Sequence, residues 1–186
     1  MTADEPRDPH RLSPGRARGV RDLTDRLPLG QAAPLVTVET LGLAILFAFY
    51  AVLDTRESEL APLLVPLAVS YVLIVANSAA RSARPLRVVG SYAIAGCVGL
   101  GISALPGPTF PEAVLAGGAT MLAMHVTGAL HSPAIAVAMI AVLANFTPVS
   151  AAQALPLLVI LAALVVGLAW LSHRVLGDAD YPAGWW

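Results

Sequence analysis

His131, Ser132 and Pro133 stand side by side in an otherwise apolar stretch of the chain. Pro133 lacks an amide hydrogen and disfavours helix at the residue before it. A helix arriving at 131 must therefore break, freeing carbonyls on one side and amide donors on the other. The helix starting near Ser132 would aim its positive end at the break, with Ser132 as a natural N-cap. An imidazole beside such donors makes a site for a small anion, and broken helices form transporter sites in this way. The same three residues also suit an ordinary turn between two spans. His125, six residues upstream, has two readings as well: a polar or proton-transferring group on a permeation path, or a hydrogen-bonded packing residue. Tyr92, following Gly90 and Ser91, could add a hydroxyl to a lining, and Arg87 could attract anions at a mouth. Arg81, Arg84 and Arg87 equally serve to fix topology. Glu39, flanked by Thr37 and Thr40, fits a polar patch near an interface.

Other chemistry has little to stand on. No nucleophile and base, phosphate loop, metal-ligand spacing or nucleic-acid face is evident, and the histidines lack companion carboxylates. The single cysteine, Cys97, excludes an intrachain disulfide, and beside Gly96 it reads as a small packing residue. No enzyme activity, cofactor or nucleic-acid partner is expected.

The elements that must position these residues are set by charge. From Ala113 to His173 there are 61 consecutive residues without Asp, Glu, Lys or Arg. A spanning helix needs roughly 20 apolar residues, so this run alone holds two or three spans. The whole chain of 186 residues is 57% hydrophobic and only 12% charged, half the usual share for soluble domains (about 25%). The partner this composition demands is a lipid bilayer. Backbone groups cannot stay unpaired in lipid, and the alternating polarity of a barrel wall is missing, so the spans should be helices. The glycines at 90, 96, 99, 101, 117 and 118 suit close helix packing, which leaves a homo-oligomer open.

Six apolar segments follow one another: about 35–53, 60–77, 88–105, 113–130, 132–145 and 153–172. Charged residues Asp54, Arg56, Glu57 and Glu59 separate the first pair, and Pro106, Gly107, Pro108 and Pro111 mark a tight turn after the third. The fifth segment has 14 residues and reaches only ~21 Å against a core of ~30 Å. It either re-enters or crosses. Arginine favours the cytoplasm. Six crossings with the N-terminus inside place 10 of the 11 arginines there, with Arg56 the exception, whereas re-entry strands Arg174 outside. Six crossings are therefore preferred. Residues 1–33, rich in Arg, Asp and Pro, read as a disordered cytoplasmic arm rather than a signal peptide.

Thr127-Gly128-Ala129-Leu130-His131-Ser132-Pro133-Ala134 resembles the signature of the HPP family of integral membrane proteins, a Thr-Arg-Thr-Leu-His-Pro-Pro-Ala run at the end of a span. Pro85 followed by Val88, Val89 and Gly90 is similar to that family's Pro-x-x-Val-Ile-Gly, and Tyr181-Pro182-Ala183-Gly184-Trp185-Trp186 to its Tyr-Pro-x-x-Trp ending. The likeness covers roughly 35–186. Ser132 replaces the first Pro, Gly128 the Arg and Ile135 the following Gly, while Arg87 and Tyr92 stand where the family often has Asn and His. Leu67-Ala68-Val69-Ser70 keeps only the Ser of a Phe-Gly-Ala-Ser element. The resemblance is to a divergent member. It implies transport, since some members in photosynthetic organisms are linked to nitrite.

The expectation is an all-α polytopic transmembrane bundle of five to six spans, with one short segment after a Pro-broken helix. The domains are an arm at 1–33, a helical membrane domain at 34–176 and a short cytoplasmic tail at 177–186. Passage of a small solute or ion through the plasma membrane is expected, with small anions such as nitrite favoured. His131, Ser132, Pro133, His125, Tyr92 and Arg87 are the path candidates. A non-transporting scaffold or partner subunit is the alternative, and an enzyme acting on a lipid or quinone a weaker third.

Overall fold

The computed structural model describes residues 29–53, 61–105, 107, 109–144, 146–178 and 180–186. Most of the expected arm, the charged loop at Asp54, Arg56, Glu57 and Glu59, and Pro106 and Pro108 of the tight turn lie outside the described residues. Six α-helices and no strand are found among those described: α1 Leu29–Leu53, α2 Leu64–Ala76, α3 Pro85–Ser103, α4 Phe110–Thr127, α5 Ser132–Leu143 and α6 Pro148–Val175. Single 3₁₀ turns at Ala61–Leu63 and Arg81–Ala83 precede α2 and α3. The protein is a helical membrane bundle.

Proline sets where the helices begin. Pro85, Pro111, Pro133 and Pro148 occupy the first turns of α3, α4, α5 and α6, where a missing amide hydrogen is harmless. At α4 a capping box adds to this: Glu112 accepts from the Thr109 amide and hydroxyl. Thr147 caps α6 by accepting the Ser150 amide at 3.1 Å. Gly128 ends α4 at φ +71°, a left-handed position that glycine takes without strain.

Among the described residues, three helices are long and apolar enough to cross a bilayer: α1, α3 and α6, over 32–52, 85–103 and 149–175. The other three expected segments are shorter or less apolar. The 18 residues of α4 reach about 27 Å and the 12 of α5 only about 18 Å. α1 begins at Leu29, inside the expected arm, so Glu39 lies nearly three turns along it rather than one.

α3 is the hub, packed on α4, α5 and α6, while α2 touches α5 and α6 and α1 lies along α2 and α6. Connector 77–84, connector 128–131 and the segment after α6 meet at one end: His131 bonds Ser82, Ser78 bonds Asp178, and Leu86 bonds Trp185. The chain is at that end before α3, after α4 and after α6. α5 therefore leads away from it, and packs on the 61–63 turn at the head of α2. Arg174 thus shares an end with Arg81, Arg84 and Arg87.

Candidate functional site

His131 sits in the extended connector between α4 and α5, at φ −145° and ψ 102°. It is the N-cap of α5. Ser132, expected in that position, is instead the first helical residue, because the Gly128 turn and Pro133 together place the helix start one residue later. The His131 side chain does not cap the helix. It turns inward and is 2% exposed. Its Nδ1 lies 2.9 Å from the Ser82 carbonyl, which can only accept, so Nδ1 carries the proton. Burial pushes this imidazole down, to about 4, so the ring is neutral near pH 7. The Nε2 lone pair then faces the Ser70 hydroxyl at 2.7 Å.

Ser70 links three elements. Its Oγ is 2.6 Å from the Tyr92 hydroxyl and 3.0 Å from the Pro66 carbonyl. With the ring neutral, the direction follows: Tyr92 donates to Ser70, Ser70 donates to His131 with Pro66 competing for the same proton, and His131 donates to Ser82. Ser70 and Tyr92 have no exposed surface. α2, α3 and the head of α5 are thus tied by a chain of buried bonds in which every member is satisfied.

This chain backs a cleft of about 100 Å³, lined by Asn77, Ser82, His131, Ser132 and Pro133 with apolar Leu73 and Ile74. At ~30 Å³ per water molecule, it has room for about three waters or one small polyatomic ion. Ser132 is exposed there. His131, Ser132, Pro133 and, through Ser70, Tyr92 are therefore brought together.

Two candidates are not. His125 was expected in the middle of its span, but α4 starts early at its capping box and stops at Gly128, which puts His125 in the last turn. Its exposed ring bonds the Met121 carbonyl one turn back, at 2.8 Å. Arg87 is half-buried in the first turn of α3 and does not line the cleft; its Nε is buried without a hydrogen-bond partner.

A second polar bracket lies on the other side of α2. The Tyr71 hydroxyl is 2.7 Å from Ser172 of α6 and donates to the Val38 carbonyl of α1 at 3.1 Å. Gly42 leaves the space the Tyr71 ring occupies. Nothing in the helical pattern singled out Tyr71 or Ser82. Ser70 carried one signal, as the retained residue of the Phe-Gly-Ala-Ser element.

Thr120 is the polar exception in the packed core. It is wholly buried on α4 and its hydroxyl has no partner. Thr120→Val keeps the shape and removes an unsatisfied group, so thermal unfolding should occur at the same temperature or higher, a gain of up to about 1 kcal/mol. A clear loss of stability would show that the hydroxyl is bonded in the membrane.

Among family models, the one described as HPP, transmembrane region, matches residues 25–182. No curated protein and no solved structure matches the chain.

Proposed function

The chain belongs to the HPP transmembrane family, and from that premise we propose that it passes a small solute across the membrane, a small anion such as nitrite being favoured. The observation that supports this reading is the cleft at one end of the bundle, a mostly apolar pocket into which Asn77, Ser132 and a neutral, fixed His131 bring polar groups. Arg81, Arg84 and Arg87 stand at the same end and raise the local potential for anions. The head of α5 adds the positive end of a helix. The membrane in question is taken to be the plasma membrane with the arginine-bearing end cytoplasmic.

One observation favours the alternative, a scaffold without transport. Both ring nitrogens of His131 already bond protein groups, so the residue works fully as a clamp between helices. Flux in proteoliposomes separates the two. Nitrite, nitrate, formate and chloride uptake is measured for the native chain and for the Ser132→Ala and His131→Ala variants. Saturable nitrite uptake, lowered about tenfold by Ser132→Ala, is the expected result, the equivalent of one hydrogen bond to the solute. Ser132 is exposed and bonds nothing buried, so that variant keeps its fold; His131→Ala should be at least as deficient. Absence of flux for every anion, in protein shown to be inserted and folded, would put the scaffold reading first.

A further inference from the structure

The segment after α6 folds back over the connector that holds His131. Tyr181 is 2% exposed and its hydroxyl donates to the Ala83 carbonyl at 3.1 Å, one residue from the carbonyl that His131 uses. Burial pushes this phenol up to about 12, so it remains a donor. Further along, the Trp185 carbonyl accepts the Leu86 amide at 3.0 Å, and Arg84 bonds the Trp186 carbonyl. Residues 180–186 are therefore a strap laid across the 80–86 turn.

What fastens the strap is His173, in the last turn of α6 and 3% exposed. Its Nε2 is 3.2 Å from the Ile74 carbonyl of α2, and its Nδ1 is 3.1 Å from Asp178 Oδ2. A carbonyl and a carboxylate both only accept, so two good bonds require a proton on each nitrogen. Only the imidazolium makes both bonds at once, and the C-terminal end of a helix favours a cation there. The Tyr181 ring stacks on it at 4.7 Å and 30°. Asp178 is positioned in turn by the Ser78 hydroxyl at 3.3 Å and by its own amide on the His173 carbonyl at 2.8 Å.

We propose that His173 and Asp178 form a proton-operated latch, closed when the ring is charged and opened when it loses its proton. Loss of the proton leaves a lone pair facing either the carboxylate or the Ile74 carbonyl. The Tyr181 stack then loses its charged face, and the Ala83 carbonyl its donor. Few other charges bear on the ring. Arg174, next on α6, is turned over the Trp170 ring at 5.3 Å. Asp180 lies in the strap, and its amide bonds Asp178 Oδ1. Arg84 is engaged with Trp186. Among the described residues, His173 and Asp178 are the only ion pair. The strap itself stands apart from the transport reading; only its effect on solute entry, through the Ser82 turn, rests on that reading.

Hydrogen exchange of the full chain in lipid nanodiscs, corrected for the intrinsic rate at each pH, tests the latch without any solute. Amides of 177, 178, 180, 181 and 183–186 and of Leu86 are followed between about pH 5 and pH 8, the range in which histidine changes charge. Protection should fall about tenfold across it in the native chain, one hydrogen bond's worth. Asp178→Asn supplies an amide donor to Nδ1 while Nε2–H keeps Ile74, so the neutral ring can hold both bonds. The pH dependence should vanish in that variant. Equal protection at both ends of the range in the native chain, or the same pH dependence retained in Asp178→Asn, would overturn the latch.

Discussion

Gly99→Ala should lower the thermal unfolding midpoint of the protein in detergent, by an amount equivalent to about 1–3 kcal/mol, the usual cost of overpacking a close-packed site. A β-carbon at Gly99 would stand 2.5 Å from Ala138 Cα and 2.7 Å from the Ala138 carbonyl oxygen. Both are backbone atoms of α5, so no rotamer change relieves the clash and the two helices must separate. Because α3 is the hub and α5 carries the cleft at its head, separation should also disturb His131. Two glycines serve as controls. A β-carbon at Gly117 would meet the flexible end of Met139, at 3.0 Å from Cγ, and should be tolerated better. At Gly101 it would meet nothing within 4 Å, so Gly101→Ala should be neutral or slightly stabilising. Circular dichroism at the helical band reads all three. Equal midpoints for Gly99→Ala and Gly101→Ala would mean that α3 and α5 do not meet backbone to backbone in the membrane.

Ser70→Ala should be the most damaging substitution in the hydrogen-bonded chain, more so than Tyr92→Phe. Removing the Ser70 hydroxyl orphans the buried Tyr92 hydroxyl and His131 Nε2 together, at about 1–3 kcal/mol for each group. Tyr92→Phe removes one donor and leaves Ser70 bonded to His131 and Pro66, so its cost should stay near 1 kcal/mol. The double variant should be less destabilised than the sum of the singles, since it leaves one orphan rather than two. Strict additivity in chemical or thermal unfolding would deny that the three side chains act as one network.

Composition and proline made most of the architecture legible. An uncharged run of 61 residues has few alternatives to buried helices, and four prolines mark where helices start. The break at His131 was legible for the same reason. What remained hidden was direction around each helix. A membrane helix is apolar on its lipid side as well as its packed side, so no stripe tells inside from outside. That is why the two readings of His125 could not be told apart, and why Tyr71 gave no sign of itself. Ser82 was illegible for another reason: its contribution is a backbone carbonyl, which every residue possesses. The strap is a third case. Its aromatic residues were noticed as an ending, but only folding reveals that Tyr181 reaches back 98 positions to Ala83.

Ser70 and Tyr71 are neighbours in sequence, and on a helix neighbours point about 100° apart. One reaches α3 and the head of α5, the other α1 and α6, at the same height along α2. Two spokes at one height fix an axle against turning. α2 cannot rotate toward one side without straining the bonds on the other. A short helix of 13 residues, poorly suited to span a bilayer alone, is thus pinned in rotation from two sides by its own hydroxyls.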